Sequence, residues 1–171
     1  MRYFDFYESP MGQMLVVSKD TALCGLYFTD QKYYPGIDES WRHDRGHRVI
    51  GETIQQLREY FAGERQRFDL TLASEGTRFQ QEIWKTLVTV SYGETITYAD
   101  LALRAGHARS VRAAGAANGR NPITIIVPCH RIIGSDGSLT GYGGGLSRKR
   151  ALLELEKRAR RGIDADLETE L

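Results

Sequence analysis

Apolar and polar positions change rhythm near the middle of the chain. Up to residue 75 the pattern is that of a small sheet followed by one helix. Tyr3, Phe4, Phe6 and Tyr7 share an aromatic-rich segment, and Met14 to Val17 and Leu23 to Phe28 are β-rich runs separated by turn residues. Residues 31–48 are polar and rich in Gly, Asp and Arg, which predicts a loop. Ile50, Ile54, Leu57 and Phe61 then recur at helical spacing, with Gly63 where a C-terminal cap belongs. A short strand is expected at 68–72, and 73–76 reads as a linker.

The second part reads as mainly helical. Thr77 and Gln80 form a capping-box pattern ahead of Phe79, Ile83, Trp84, Leu87 and Val88. Thr97 and Asp100 repeat a weaker version ahead of Tyr98, Leu101 and Ala102, and Gly106 breaks the pattern. A further helix is expected from Arg109 to Gly119, giving two short helices joined by a glycine-containing turn, the outline of a helix-turn-helix. The apolar run Ile123 to Val127 looks like a strand that stops at Pro128. Residues 146–158 predict an amphipathic helix, and the polar, acidic end from Gly162 has a composition suited to disorder. The fold class is therefore α+β. We expect an N-terminal α/β domain at 1–75, a helical C-terminal domain at 76–160 and a polar tail at 161–171.

Composition narrows the classes. A chain of 171 residues fits one or two small domains. It has neither an apolar run long enough for a bilayer nor a basic-then-apolar leader, so neither membrane nor secretion is expected. Two cysteines give no disulfide framework, and a reducing, cytoplasmic compartment suits a reactive thiol. The two cysteines and four scattered histidines lack zinc-ligand spacing, so no metal is expected. The net charge of +1 hides an asymmetry: residues 101–150 carry eight Lys/Arg against Asp136 alone. That is the footprint of a phosphate-backbone partner, or else a solvated face whose charges fall together.

Pro-Cys-His-Arg at 128–131 is the strongest chemical signal. A thiol next to a histidine is either a nucleophile with a base at hand or a buried structural cysteine beside an unrelated ring. The segment Arg112-Ala113-Ala114-Gly115-Ala116-Ala117 offers one long side chain and a run of small ones. Small residues allow close approach, either to a minor groove or to a neighbouring helix. Asn121-Pro122 reads as a turn that either ties helix to strand or simply turns. The glycine-rich loop at 141–145, with Tyr142, is a pocket wall or only a connection. Glu156 is a surface carboxylate or the buried partner of His130.

Together and in this order, these residues resemble the O6-alkylguanine-DNA alkyltransferases, the methylated-DNA–protein-cysteine methyltransferases. The resemblance runs from about Phe79 to Glu156. It rests on Phe79 to Trp84, Tyr98 to Ala102, Arg112 to Gly115, Asn121-Pro122, Ile126 to Arg131, and Gly141-Tyr142 with Gly144-Gly145. Residues 1–75 match the family's variable N-terminal domain only in outline. The resemblance implies a ribonuclease-H-like first domain and a winged-helix-like second one. Cys129 would accept the alkyl group, His130 would deprotonate it through a water, and Glu156 would polarise the histidine. Tyr98 would donate to the departing guanine and crowd the phosphate, and Arg112 would fill the gap in the duplex. Thr97, Tyr98, Ala113, Ala114, Gly115 and Arg131 would contact DNA. Val127, Tyr142, Gly143 and Asn118 would line the base pocket, and Asn121 would stabilise the hinge.

The implied reaction moves a methyl or larger alkyl group from O6-alkylguanine, or O4-alkylthymine, in duplex DNA onto the cysteine. A thioether is not readily hydrolysed, so each molecule would act once, as a monomer and without a cofactor, with cooperative binding left open. Two loop positions depart from the family. Gly143 replaces a common serine, so any hydrogen bond to the guanine oxygen there is expected from backbone N–H, and Gly141 replaces an asparagine. These small residues predict a wider pocket. Three other readings compete. Cys129 argues against a lesion-flagging module without chemistry, the basic stretch against a cysteine hydrolase, and the lack of base-reading side chains against a transcription regulator.

Overall fold

The computed structural model describes the backbone of residues 1–170 and the side chains of residues 1–162. Strands β1 (Arg2–Ser9), β2 (Gly12–Lys19) and β3 (Ala22–Phe28) form an antiparallel meander. The short β4 (Arg42–His43) adds in parallel to β1, giving the order β3-β2-β1-β4. Successive strand side chains point to opposite faces. Met14 and Val16 enter the main core, while Leu15 and Val17 face the outer side with Cys24. Tyr34 and Trp41 of the loop after β3 cover that outer side. The β2–β3 register slips between Val17 and Ser18, so that Cys24 is the extra residue of a bulge.

Helix α1 (Arg48–Phe61) buries Ile50, Leu57 and Tyr60 completely against the inner face. Each such side chain contributes about 1.5–3 kcal/mol of transfer free energy. The helix ends at Gly63, whose φ of 78° is the left-handed geometry expected there. The 68–72 segment is not a strand; it makes a single bridge, Leu72 to Leu23. Leu23 lies at the free edge of β3, where the adjoining segment supplies its partners through Thr71 O and Ala73 N–H.

In the C-terminal domain, α2 (Arg78–Val88), α3 (Tyr98–Arg104) and α4 (Val111–Gly119) pack on one another. Both capping boxes are present, Thr77 with Gln80 and Thr97 with Asp100. Trp84 secures α2 to α4 by donating its indole N–H to Ala117 O at 2.9 Å. Strands β5 (Ile96–Thr97) and β6 (Ile132–Ile133) pair in parallel and bring the start of α3 beside the segment that follows Cys129. Helix α5 begins at Leu146 and continues to Glu170, through the segment read as a polar tail; side chains from 163 onward lie outside the described residues.

The apolar run at 123–127 is not a strand. It makes one bridge, Ile123 to Leu26, at the edge of β3, and then turns on itself. Val127 N–H donates to Ile123 O, and Ile126 N–H to Thr124 O. Ile125 holds a φ of 71°, an uncommon conformation for a β-branched residue. All of residues 123–127 are buried, so the apolar run records burial on every side rather than strand pairing.

Candidate active site

Cys129 opens a single 3-10 turn, Cys129–Arg131, between the tight 123–128 turn and β6. Asn121 ties this arrangement together. Its amide donates to Val127 O at 2.7 Å, and its oxygen accepts from Ile123 N–H at 3.0 Å. Burial pushes the Cys129 thiol up, against opposing help from the Asn121 and Thr124 side chains and the Lys149 charge. The resting thiol is therefore protonated, and its neighbours are those that would stabilise the anion.

His130 and Glu156 are both fully buried, and His130 Nε2 lies 2.6 Å from Glu156 Oε2. Glu156 also accepts from Arg131 Nε at 2.8 Å, from Tyr60 OH at 2.6 Å and from Gly93 N–H at 3.2 Å. Burial alone would raise the Glu156 carboxyl. The adjacent His130 and Arg131 outweigh it and hold the group well below the usual carboxylate range. Burial depresses His130, which favours the neutral ring, while Glu156 pulls the other way. An anionic Glu156 requires the proton to sit on Nε2. Nδ1 then carries a bare lone pair, and this buried atom has no hydrogen-bond partner among the described residues. The geometry is that of a base, oriented by the carboxylate on one side and unpartnered on the other.

Tyr98 stands at the start of α3, beside Gly115 of α4 and close to Gly141. Its hydroxyl donates to Thr140 O at 2.9 Å. Lys149, fully buried on α5, donates to Ile132 O at 2.5 Å and Thr140 O at 2.7 Å, clamping β6 to the glycine loop. Burial lowers its ammonium to about 8. Asn118, at the end of α4, makes a long 3.4 Å contact to Cys129 O.

The structure thus brings together Cys129, His130, Glu156, Asn118, Asn121, Val127 and Tyr142 around one turn. Tyr142 OH meets Thr124 Oγ1 at 2.6 Å. Thr97 caps α3 and is half-buried, whereas Arg112 and Ala113 are exposed on α4. Two residues expected on the DNA-facing surface are inside. Arg131 is 6% exposed and spends its guanidinium on Glu156 and on Val90 O, because a buried carboxylate requires a cation. Ala114 is 0% exposed, packed where its helix meets α2 and α3. Arg148 and Lys149 are likewise engaged inside the molecule, so the basic surface is smaller than the charge count implied. The cleft at Cys129 has a volume of about 10 Å³ and is closed partly by Gln31. A 690 Å³ cavity lies on the other side of the Ile125–Pro128 turn, but Cys129 does not line it.

Tyr60, Thr124, Lys149 and Gln31 were not anticipated. Tyr60 lies in the helical segment marked by Ile50, Ile54, Leu57 and Phe61, and Thr124 sits inside an apolar run. Lys149 stood in a basic cluster, Arg148-Lys149-Arg150, that reads as solvated. No local signal separates them from ordinary residues.

The site is a buried thiol followed in the chain by an imidazole held by a buried carboxylate, set in an α+β scaffold. Comparison with known proteins agrees. Residues 2–74 match the description "6-O-methylguanine DNA methyltransferase, ribonuclease-like domain", and residues 78–158 match its "DNA binding domain". A methylated-DNA–protein-cysteine methyltransferase of Mycobacterium tuberculosis is 47% identical over 92% of this chain and 93% of its own. One from Methanosarcina barkeri is 46% identical over 91% and 97%. The crystal structure of Mycobacterium tuberculosis OGT in complex with DNA aligns with a TM-score of 0.86 at 45% identity, covering 92% of this chain and 94% of that one. The chain belongs to the 6-O-methylguanine DNA methyltransferase family. No helix among the described residues is long and apolar enough to cross a membrane.

Proposed function

We propose that this protein repairs DNA by direct reversal, taking the alkyl group of O6-alkylguanine, or O4-alkylthymine, onto Cys129. The observation that carries the reading is the relay behind the thiol: His130 bonded to a buried anionic Glu156, with Nδ1 left free. His130 takes the thiol proton through a bridging water. The sulfur electron pair then forms the S–C bond as the C–O6 bond breaks, and its electrons pass to the base. Tyr98 returns a proton to the departing guanine. The product thioether is stable to water, so each molecule acts once.

The lesion must leave the stack to reach a thiol at the foot of this cleft, which costs a few kcal/mol, less for a badly paired base. A 10 Å³ cleft is smaller than a purine, so the entering base must displace part of its wall. We assign α3 and α4 to a helix-turn-helix lying on the duplex in a winged-helix-like manner. Exposed Arg112 fills the vacated space, with Ala113 and Gly115 permitting close approach. Thr97 and Tyr98 meet the backbone near the lesion, and Asn118, Val127, Tyr142 and Gly143 form the pocket. A division at residue 75 is supported by the two matched spans. Two unpaired cysteines favour the cytoplasm, and a monomer fits a single site per chain.

The test is intact-protein mass after incubation with a duplex carrying one O6-methylguanine. A single methyl adduct on Cys129, absent from Cys129→Ala, is expected. Tight lesion binding without an adduct would overturn the reading in favour of a damage-flagging module.

A further inference from the structure

The N-terminal domain closes one side of the base pocket. Gln31, in the turn after β3, lines the cleft with Cys129, Thr124 and Tyr142. This turn is fastened on two sides. Lys32 N–H donates to Gly143 O at 2.9 Å, and Arg148 bonds Asp30 Oδ1 at 2.7 Å while donating to Met11 O. Gln31 is therefore held by the frame around it rather than carried on a loose loop.

Bonding fixes the orientation of its amide. Phe28 N–H donates to Oε1 at 2.8 Å, a role only the oxygen can fill. Nε2 is left with a 3.4 Å contact to Lys32 O, too long for a good hydrogen bond, so a donor remains unspent. Gly143 has no side chain, and a Cβ built there would lie 3.7 Å from Gln31 Nε2, the nearest side-chain atom. The Gln31 amide borders the space that a side chain at 143 would enter.

We propose that Gln31 is a specificity-determining residue of this pocket, its amide N–H donating to an acceptor atom of the extruded purine. The inference rests on Cys129 being the alkyl acceptor, and it makes the N-terminal domain part of the substrate site. It also amends the expectation that only backbone N–H groups serve the base near Gly143. Guanine presents O6 and N7 as acceptors. A donor facing either one also stabilises the charge that gathers on the base as the C–O6 bond breaks.

Gln31→Glu keeps an oxygen for Phe28 N–H and replaces the donor with a second acceptor. Single-turnover transfer is measured on a duplex with one O6-methylguanine and on the free base O6-benzylguanine. The expected result is at least a tenfold slower step at saturation on both substrates, with affinity for undamaged duplex unchanged. Gln31→Ala loses about 5- to 10-fold on both, the size of one hydrogen bond, and serves alone if Gln31→Glu fails to fold. Rates within twofold of wild type on both substrates overturn the proposal. So does a loss confined to the duplex, which would put Gln31 on the DNA rather than on the base. A wild-type protein that forms no adduct overturns the alkyl-transfer reading instead, so the two failures are distinguishable.

Discussion

Cys24, at 8% exposure on the outer face of the sheet, and Cys129, at 6% on the turn before β6, are hidden to the same degree, and burial pushes both thiols up. Their neighbours differ. Cys24 packs with Leu15 and Val17, and the charges that reach it oppose one another: Arg2 lowers its proton affinity, whereas Glu75 raises it. Cys129 has the Asn121 amide, the Thr124 hydroxyl and the Lys149 ammonium, all of which favour the anion, and His130 follows it in the chain. Burial alone therefore does not separate a structural thiol from a reactive one. The separation lies in whether the surroundings supply dipoles for the anion and a destination for the proton.

Removing the sulfur is the largest way to test this contrast. Cys129→Ala should form no adduct by intact mass, while Cys24→Ala should form it at the wild-type rate. An alkyl group found on Cys24 would break the comparison outright. Next in size is the support behind the histidine. Glu156→Ala leaves the Arg131 guanidinium buried without its partner, a change that costs about 3–5 kcal/mol. The expected readings are a melting temperature lower by roughly 10 °C and loss of the fast transfer step. A melting curve like that of wild type would show that the cluster does not hold the site together.

Protonation gives a finer reading. Burial depresses His130 from its ordinary 6.5, so the neutral ring persists below pH 6.5 in the fold. A depressed group stabilises the fold fully above its unfolded value, and that contribution fades as pH falls through the folded value. Transfer rate and stability should therefore hold at pH 6.5 and decline together below it. Tyr60→Phe sharpens the point. Tyr60 donates to the same Oε2 that binds His130, so it draws off part of the carboxylate's pull on the ring. Without it the His130 affinity for a proton rises, and the acid limb of the rate profile should move to higher pH. The stability loss should be about 1.5–3 kcal/mol, that of a hydrogen bond to a charged group. A limb that stays in place would reduce Tyr60 to a packing residue.

The features legible in the sequence were those set by neighbours along the chain. The capping boxes at Thr77 and Thr97 and the left-handed Gly63 are local geometry, and each was readable from a few residues. What stayed hidden depends on contacts made across the fold. Tyr60 reaches Glu156 across 96 positions, and nothing within α1 distinguishes a tyrosine bound for a carboxylate from one bound for the core. Arg131 was misread for the same reason: an arginine beside a nucleophile looks like a DNA contact until the buried carboxylate is seen. The 123–127 run misled because continuous burial erases the alternation that marks a half-exposed strand. Pro128-Cys129-His130-Arg131 and Glu156 stood out by residue type and order, but their geometry rests on Asn121, Thr124 and Lys149.

The smallest effect is expected at Cys24 itself. Its side chain fills a bulge position between the sheet and the covering Tyr34 and Trp41, so Cys24→Ala removes one small apolar group from a well-packed face. A loss of about 1 kcal/mol is the scale for deleting so little buried volume. Chemical denaturation measures that loss, and thiol labelling of the folded protein completes the comparison. Both thiols are covered, so reagent should reach them slowly, but Cys129 should react faster at high pH because its neighbours welcome the thiolate. Equal labelling rates for the two cysteines would mean that access alone governs them. The polar surroundings of Cys129 would then act on the bound alkyl group and base rather than on the resting thiol.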